Sequence, residues 1–226
     1  MADKVSEFYQ YAVHLVYAII IALSYNVAIE VFIPIQNFWA SYDGFLNGIA
    51  LLFAYIVVVS GWVGWIKSIQ NKPHKISFFG NSRFVHDLFI GFWYFYLIQL
   101  SKPEFFGEFG QVFVWINPVI FGTYVIWDLV KFKEYNFKSE EKIIRKNRSR
   151  KTIYFLIIFL MISYAYTLVG INGITILIYE NNVVDLIFII TSIGFTLWYR
   201  KSKWKETKTK KRRKTTNSKK KNNSNT

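Results

Sequence analysis

Apolar residues run along this chain in long stretches, broken by short segments in which Lys, Arg, Asn and Ser concentrate. A bilayer core about 30 Å thick needs roughly 20 apolar residues per helix. Six stretches fit that requirement: residues 8–33, 44–66, 84–100, 112–130, 152–172 and 183–199. The third and sixth hold about 17 residues, the lower limit for spanning. Pro34 ends the first stretch, and Gly170-Ile171-Asn172-Gly173 breaks the fifth. Residues 174–179 are apolar but lie outside these spans. The expected fold is all-α: a polytopic transmembrane bundle of six spans within residues 1–200, then a disordered basic tail, 201–226.

The polar segments carry a second pattern. With six spans, 27 of the 28 Lys and Arg residues fall on one side of the membrane, and only Lys102 falls on the other. Basic residues are retained on the cytoplasmic side, so both termini are expected there. Five or seven spans would put the Lys131–Lys151 loop and the tail on opposite sides and destroy the bias. Seven of the eight Trp sit at span ends or in flanking loops, where an indole ring is shielded and its N–H stays wet. Trp93 alone falls in mid-span. The first apolar run is too long for a signal-peptide core and reads as an uncleaved span in the cell membrane.

Composition agrees with this picture and removes some chemistry. The 226 residues are 53% hydrophobic and 20% aromatic, with a formal net charge of +14. There is no Cys, which excludes disulfides, thiolate catalysis and Cys-ligated zinc. No clustered metal ligands, phosphate loop or nucleophile elbow appears, so no cofactor, metal or catalytic residue is expected.

Ionisable residues inside a span are costly and are functional candidates by default. Asp87 begins the third span beside His86, one turn after Arg83 with which it could pair. Asp128 lies one turn before Lys131, and Glu30 and Asp185 lie at outer ends. Interfacial capping or ion pairing accounts for these acids. His14 lies within the first span with Tyr25 on its face; it is either a proton carrier or a neutral ring bonded to a neighbouring helix. The remaining mid-span polarity comes from hydroxyls, among them Tyr94 and Tyr124. A pocket lined by Tyr94, Tyr124 and His14 would suit a small solute. Asn117-Pro118 implies either a kink in the fourth span or a helix start after a re-entrant piece.

The second span carries Asn47, Ala50, Ala54, Val57, Gly61 and Gly64 on one face. Such a seam lets helices approach closely, either inside the bundle or in a homo-oligomer. Arg145 and Lys146 in the fourth loop, and Lys210, Lys211, Arg212, Arg213 and Lys214 in the tail, can contact anionic lipid headgroups; nucleic acid would use the same charges. The reading that follows is a small transporter or channel for an ion or small solute. The alternative is a non-catalytic membrane module that docks anionic lipid, nucleic acid or a cytoplasmic partner through its basic segments. A membrane enzyme using His86 and Asp87 is a third, weaker reading.

Overall fold

The computed structural model describes residues 2–33, 41–135, 139–171 and 183–203. These hold six helices: α1 (Ala2–Phe32), α2 (Tyr42–Asn71), α3 (Phe78–Gln99), α4 (Pro103–Glu134), α5 (Ser139–Ile171) and α6 (Val183–Lys203). The sequence accounts for several of their ends. Ser41 and Ser77 begin α2 and α3 by accepting the amides of Gly44 and Gly80 at 3.0 and 3.1 Å. Pro103 sits in the first turn of α4, where its missing N–H costs nothing. Lys131 and Lys133 occupy the last turn of α4, where a cation complements the helix dipole.

Five of the six helices are long and apolar enough to cross a bilayer. The chain is a multi-pass membrane protein built of helices. The exception is α3. It starts at Phe78, six residues before its expected span, and carries Asn81, Arg83, His86 and Asp87 in its first half. Arg83 and Asp87 are nonetheless buried in protein rather than facing outward.

The helices pack around a mainly apolar core that also holds buried polar groups, and their outer faces are apolar. Leu15, Leu23, Leu52, Phe92, Ile157, Met161 and Leu197 are exposed on the outer faces, as lipid contact requires. Two pairs of interior hydroxyls meet across helices: Ser24 with Tyr55 at 2.7 Å, and Tyr94 with Tyr124. The small-residue seam of α2 faces the interior of the chain. Asn47, Ala50, Ala54 and Val57 are buried, and Gly61 lies against the Tyr94 ring. That face is occupied by the chain's own helices, so it is not open to a second copy, and the expectation of an oligomer through it is corrected. Gly91 similarly lets α3 close on Val16 of α1.

Asn117-Pro118 does not start a helix; α4 runs through Pro118. Proline at 118 leaves the Val114 carbonyl without its backbone donor. Ser163 of α5 donates to that oxygen at 3.1 Å and Asn117 Nδ2 approaches it at 3.4 Å. Side chains thus repair the ladder, as membrane interiors demand.

Candidate functional site

Contacts at one end of the bundle join the start of α1, the α2–α3 connection, the α4–α5 junction and the end of α6. Tyr9 donates to Asn81 at 3.0 Å and stacks on Phe84, Lys72 pairs with Glu141, and Lys203 pairs with Asp128. At the opposite end Lys102 pairs with Glu30 at 2.9 Å. Most described ionisable side chains gather at the first end, in two tiers.

The outer tier pins the connection between α2 and α3. Arg83 and Asp87 are one turn apart on α3 and face the same way, but they do not pair with each other. Arg83 Nη1 lies 2.6 Å from Glu134 Oε2 of α4, with both side chains fully buried. Arg83 Nη2 also donates to the Lys72 carbonyl, and the Lys75 amide donates to Glu134 Oε1 at 2.7 Å. Tyr135 donates to the Pro73 carbonyl. His74 Nε2 meets Asp87 Oδ2 at 2.8 Å, and Trp127 Nε1 donates to Asp87 Oδ1 at 2.7 Å. A carboxylate out of water needs such donors. Asp87 therefore draws in His74, which reads from sequence as a solvated loop residue, and Trp127, which reads as an interfacial anchor.

The inner tier surrounds a cavity of about 60 Å³. Hydroxyls of Tyr17, Ser68, Tyr94 and Tyr124 line it, together with the indoles of Trp65 and Trp127. Gly61 and Gly64 let polar side chains of other helices approach α2 here. A Cβ at Gly61 would lie 2.0 Å from the Tyr94 hydroxyl, and one at Gly64 would lie 3.2 Å from Arg200 Nη1. Arg200 donates to Ser60 at 3.0 Å and Tyr124 at 2.9 Å, and its guanidinium lies against the rings of Tyr124 and Tyr199. Lys131 reaches Ser68 and lies over Trp127. Asp128 accepts from Thr152 at 2.8 Å and pairs with Lys203 at 3.3 Å, so its expected partner Lys131 turns elsewhere.

The sequence candidates separate on this frame. Asp87, Tyr94 and Tyr124 come together on the cavity wall. His14 does not line it; its Nδ1 accepts from Trp62 at 3.3 Å, as a ring bonded to a neighbouring helix. Tyr25 is exposed on the outer face of α1 and is not part of any pocket with His14. His86 bonds to the carbonyl of Ser82 one turn back, and Asp87 takes His74 instead, so the two do not form a pair. Asn117 and Pro118 lie in the mid-helix repair described above, away from the wall. Arg145 and Lys146 begin the apolar part of α5, while Lys210, Lys211, Arg212, Arg213 and Lys214 lie outside the described residues.

Sequence reasoning missed His74, Trp127, Glu134, Arg148 and Arg200 as parts of one assembly. Each sits where a loop or helix end explains it without further chemistry. The only available signal was the step of four between Arg83 and Asp87, which puts two charges on one face of α3. No His, Asp and Glu cluster among the described residues has the grouping of a metal site. Comparison with protein-family models, curated proteins and solved structures finds no match to this chain.

Proposed function

We propose that this protein is a small membrane transporter or channel, and that the cavity lined by residues of all six helices receives the ion or small solute it moves. One observation carries the reading. Hydroxyls and charged groups converge on a partly open cavity toward one end of a bundle whose outer faces carry large apolar side chains. A merely structural core would fill that space with apolar side chains. Gly61 and Gly64 instead let the Tyr94 hydroxyl and the Arg200 guanidinium close on α2 at the cavity wall.

The orientation proposed with it has six spans, α3 included, and both described ends in the cytoplasm. In support, residues from the start of α1, the connection after α2, the end of α4 and the end of α6 meet at one end, as an even number of crossings requires. Basic residues crowd that end, and Lys102 stands at the other. The cavity would then open toward the cytoplasmic side.

Flux from proteoliposomes loaded with a panel of small ions and neutral solutes tests the proposal. Wild-type protein should raise the rate for at least one solute, and Tyr124→Phe should lower it. Vesicles holding folded protein but tight to the whole panel would remove the reading.

A further inference from the structure

The cavity walls carry more hydrogen-bond donors than acceptors can use, and this imbalance specifies the ligand's charge. Among the described residues, two buried wall atoms have no hydrogen-bond partner: Trp65 Nε1 and Arg148 Nε. Both can only donate. Trp65 is 6% exposed, so its N–H is sheltered from bulk water. Leaving a buried donor unmet is costly, and a ligand that accepts would relieve it.

Charge points the same way. Arg148, Arg200 and Lys203 line the cavity, and Lys131 is anchored on its wall residue Ser68. Against the three wall cations stand two wall carboxylates. Asp128 is engaged by Lys203 and Thr152 and also feels the charge of Arg148, and Asp87 is engaged by His74 and Trp127. Among the described residues, Arg200 hydrogen-bonds to the neutral hydroxyls of Ser60 and Tyr124 and lies against the rings of Tyr124 and Tyr199, and no carboxylate lies within ion-pair distance of it. A cation held this way in low dielectric lacks its counter-charge. The available volume, about 60 Å³, is several times the ~10–15 Å³ that one water occupies by this measure, which is too little for a sugar or nucleotide.

We infer that the cavity is a site for a small inorganic anion of halide or nitrate size, held by Arg200 and Arg148 with the Trp65 indole N–H as a neutral donor. This inference rests on the transport reading for its biological use, but binding can be tested without transport. Purified full-length protein in a detergent without phosphate is titrated with chloride at constant ionic strength, with gluconate as the balancing anion. Line broadening of the chloride NMR signal reports exchange with a protein site.

Wild type should broaden the signal saturably, and nitrate should abolish the broadening by competition. Arg200→Gln should weaken binding by about tenfold or more, the loss of a charge-assisted contact. Trp65→Phe keeps the ring and removes only the donor. It should weaken binding by about two- to tenfold, so a misfolded Arg200 variant does not decide the matter. The absence of saturable broadening with wild type would overturn the inference. Broadening that persists unchanged in both variants would overturn the assignment to this cavity. Chloride binding without flux of any solute would leave the site standing and remove the transport reading. Flux of a neutral solute without chloride binding would do the reverse.

Discussion

Replacing Glu134 by Ala should be among the most damaging single changes at the cavity end of the bundle. Both members of the Arg83–Glu134 pair are fully shielded, at 0% side-chain exposure each, and their atoms approach to 2.6 Å. Removing the carboxylate leaves a buried guanidinium uncompensated, which typically costs about 3–5 kcal/mol. It also strips the Lys75 amide of its acceptor, so the connection between α2 and α3 loses two of its ties at once. A typical domain has only about 5–15 kcal/mol of net stability to lose. Removing both charges behaves differently. Arg83→Met with Glu134→Leu replaces the pair by apolar groups of similar bulk, which is often neutral or stabilising by about 1–4 kcal/mol. Unfolding by SDS in mixed micelles, followed by far-ultraviolet circular dichroism, measures all three proteins. The single variant should fall well below wild type, and the double variant should recover part of the loss, since the Lys75 amide and Lys72 carbonyl still lose their partners. A loss under about 1 kcal/mol in Glu134→Ala, the value for a hydrated surface pair, would refute the claim that this pair is buried.

Other expectations follow from the same contacts. Gly61→Val should destabilise by about 1–3 kcal/mol through its clash with Tyr94, whereas Gly122→Ala, with nothing within 4 Å of its Cβ position, should be neutral or slightly stabilising; the same SDS titration compares them. Ser163→Ala should cost about 0.6–1.7 kcal/mol in the wild-type background, and less beside Pro118→Ala, because the restored backbone N–H can bond to Val114; a double-mutant cycle reads the difference. The chain has no Cys, so single cysteines report sidedness without background. Cysteines replacing Lys75 and Lys201 should label from the cytoplasmic side and one replacing Lys102 from the other; Lys75 and Lys201 on opposite sides would break the six-span topology.

The helices were legible because span length and the segregation of charge act on whole segments, and local errors average out. The start of α3 was missed for a physical reason. Its first turns carry Asn81, Arg83 and Asp87, which a lipid-facing helix would exclude, and only partners from elsewhere make them admissible there. The site was less legible. Tyr94 and Tyr124 could be picked out as interior hydroxyls, yet their joining depends on Gly61 of another helix leaving space. Arg200 and Lys203 stand at the head of a basic tail, where topology alone explains a cation. Their packing against Tyr124 and Asp128 arises only when α6 lies beside α4. His74 was read as solvated because nothing local to residue 74 shows that Asp87 will be buried 13 positions later.

The claim that a solute passes through the cavity is tested most directly by plugging it. Gly64→Cys places a lone thiol on the cavity wall, beside the Arg200 side chain, in a chain with no other cysteine. Solute flux from proteoliposomes is then measured before and after modification with a small methanethiosulfonate reagent, and again after reduction. The expected result is flux that falls to the rate of protein-free vesicles on modification and returns on reduction. Flux that continues unchanged through fully modified protein would show that the solute takes another path, and would contradict the account.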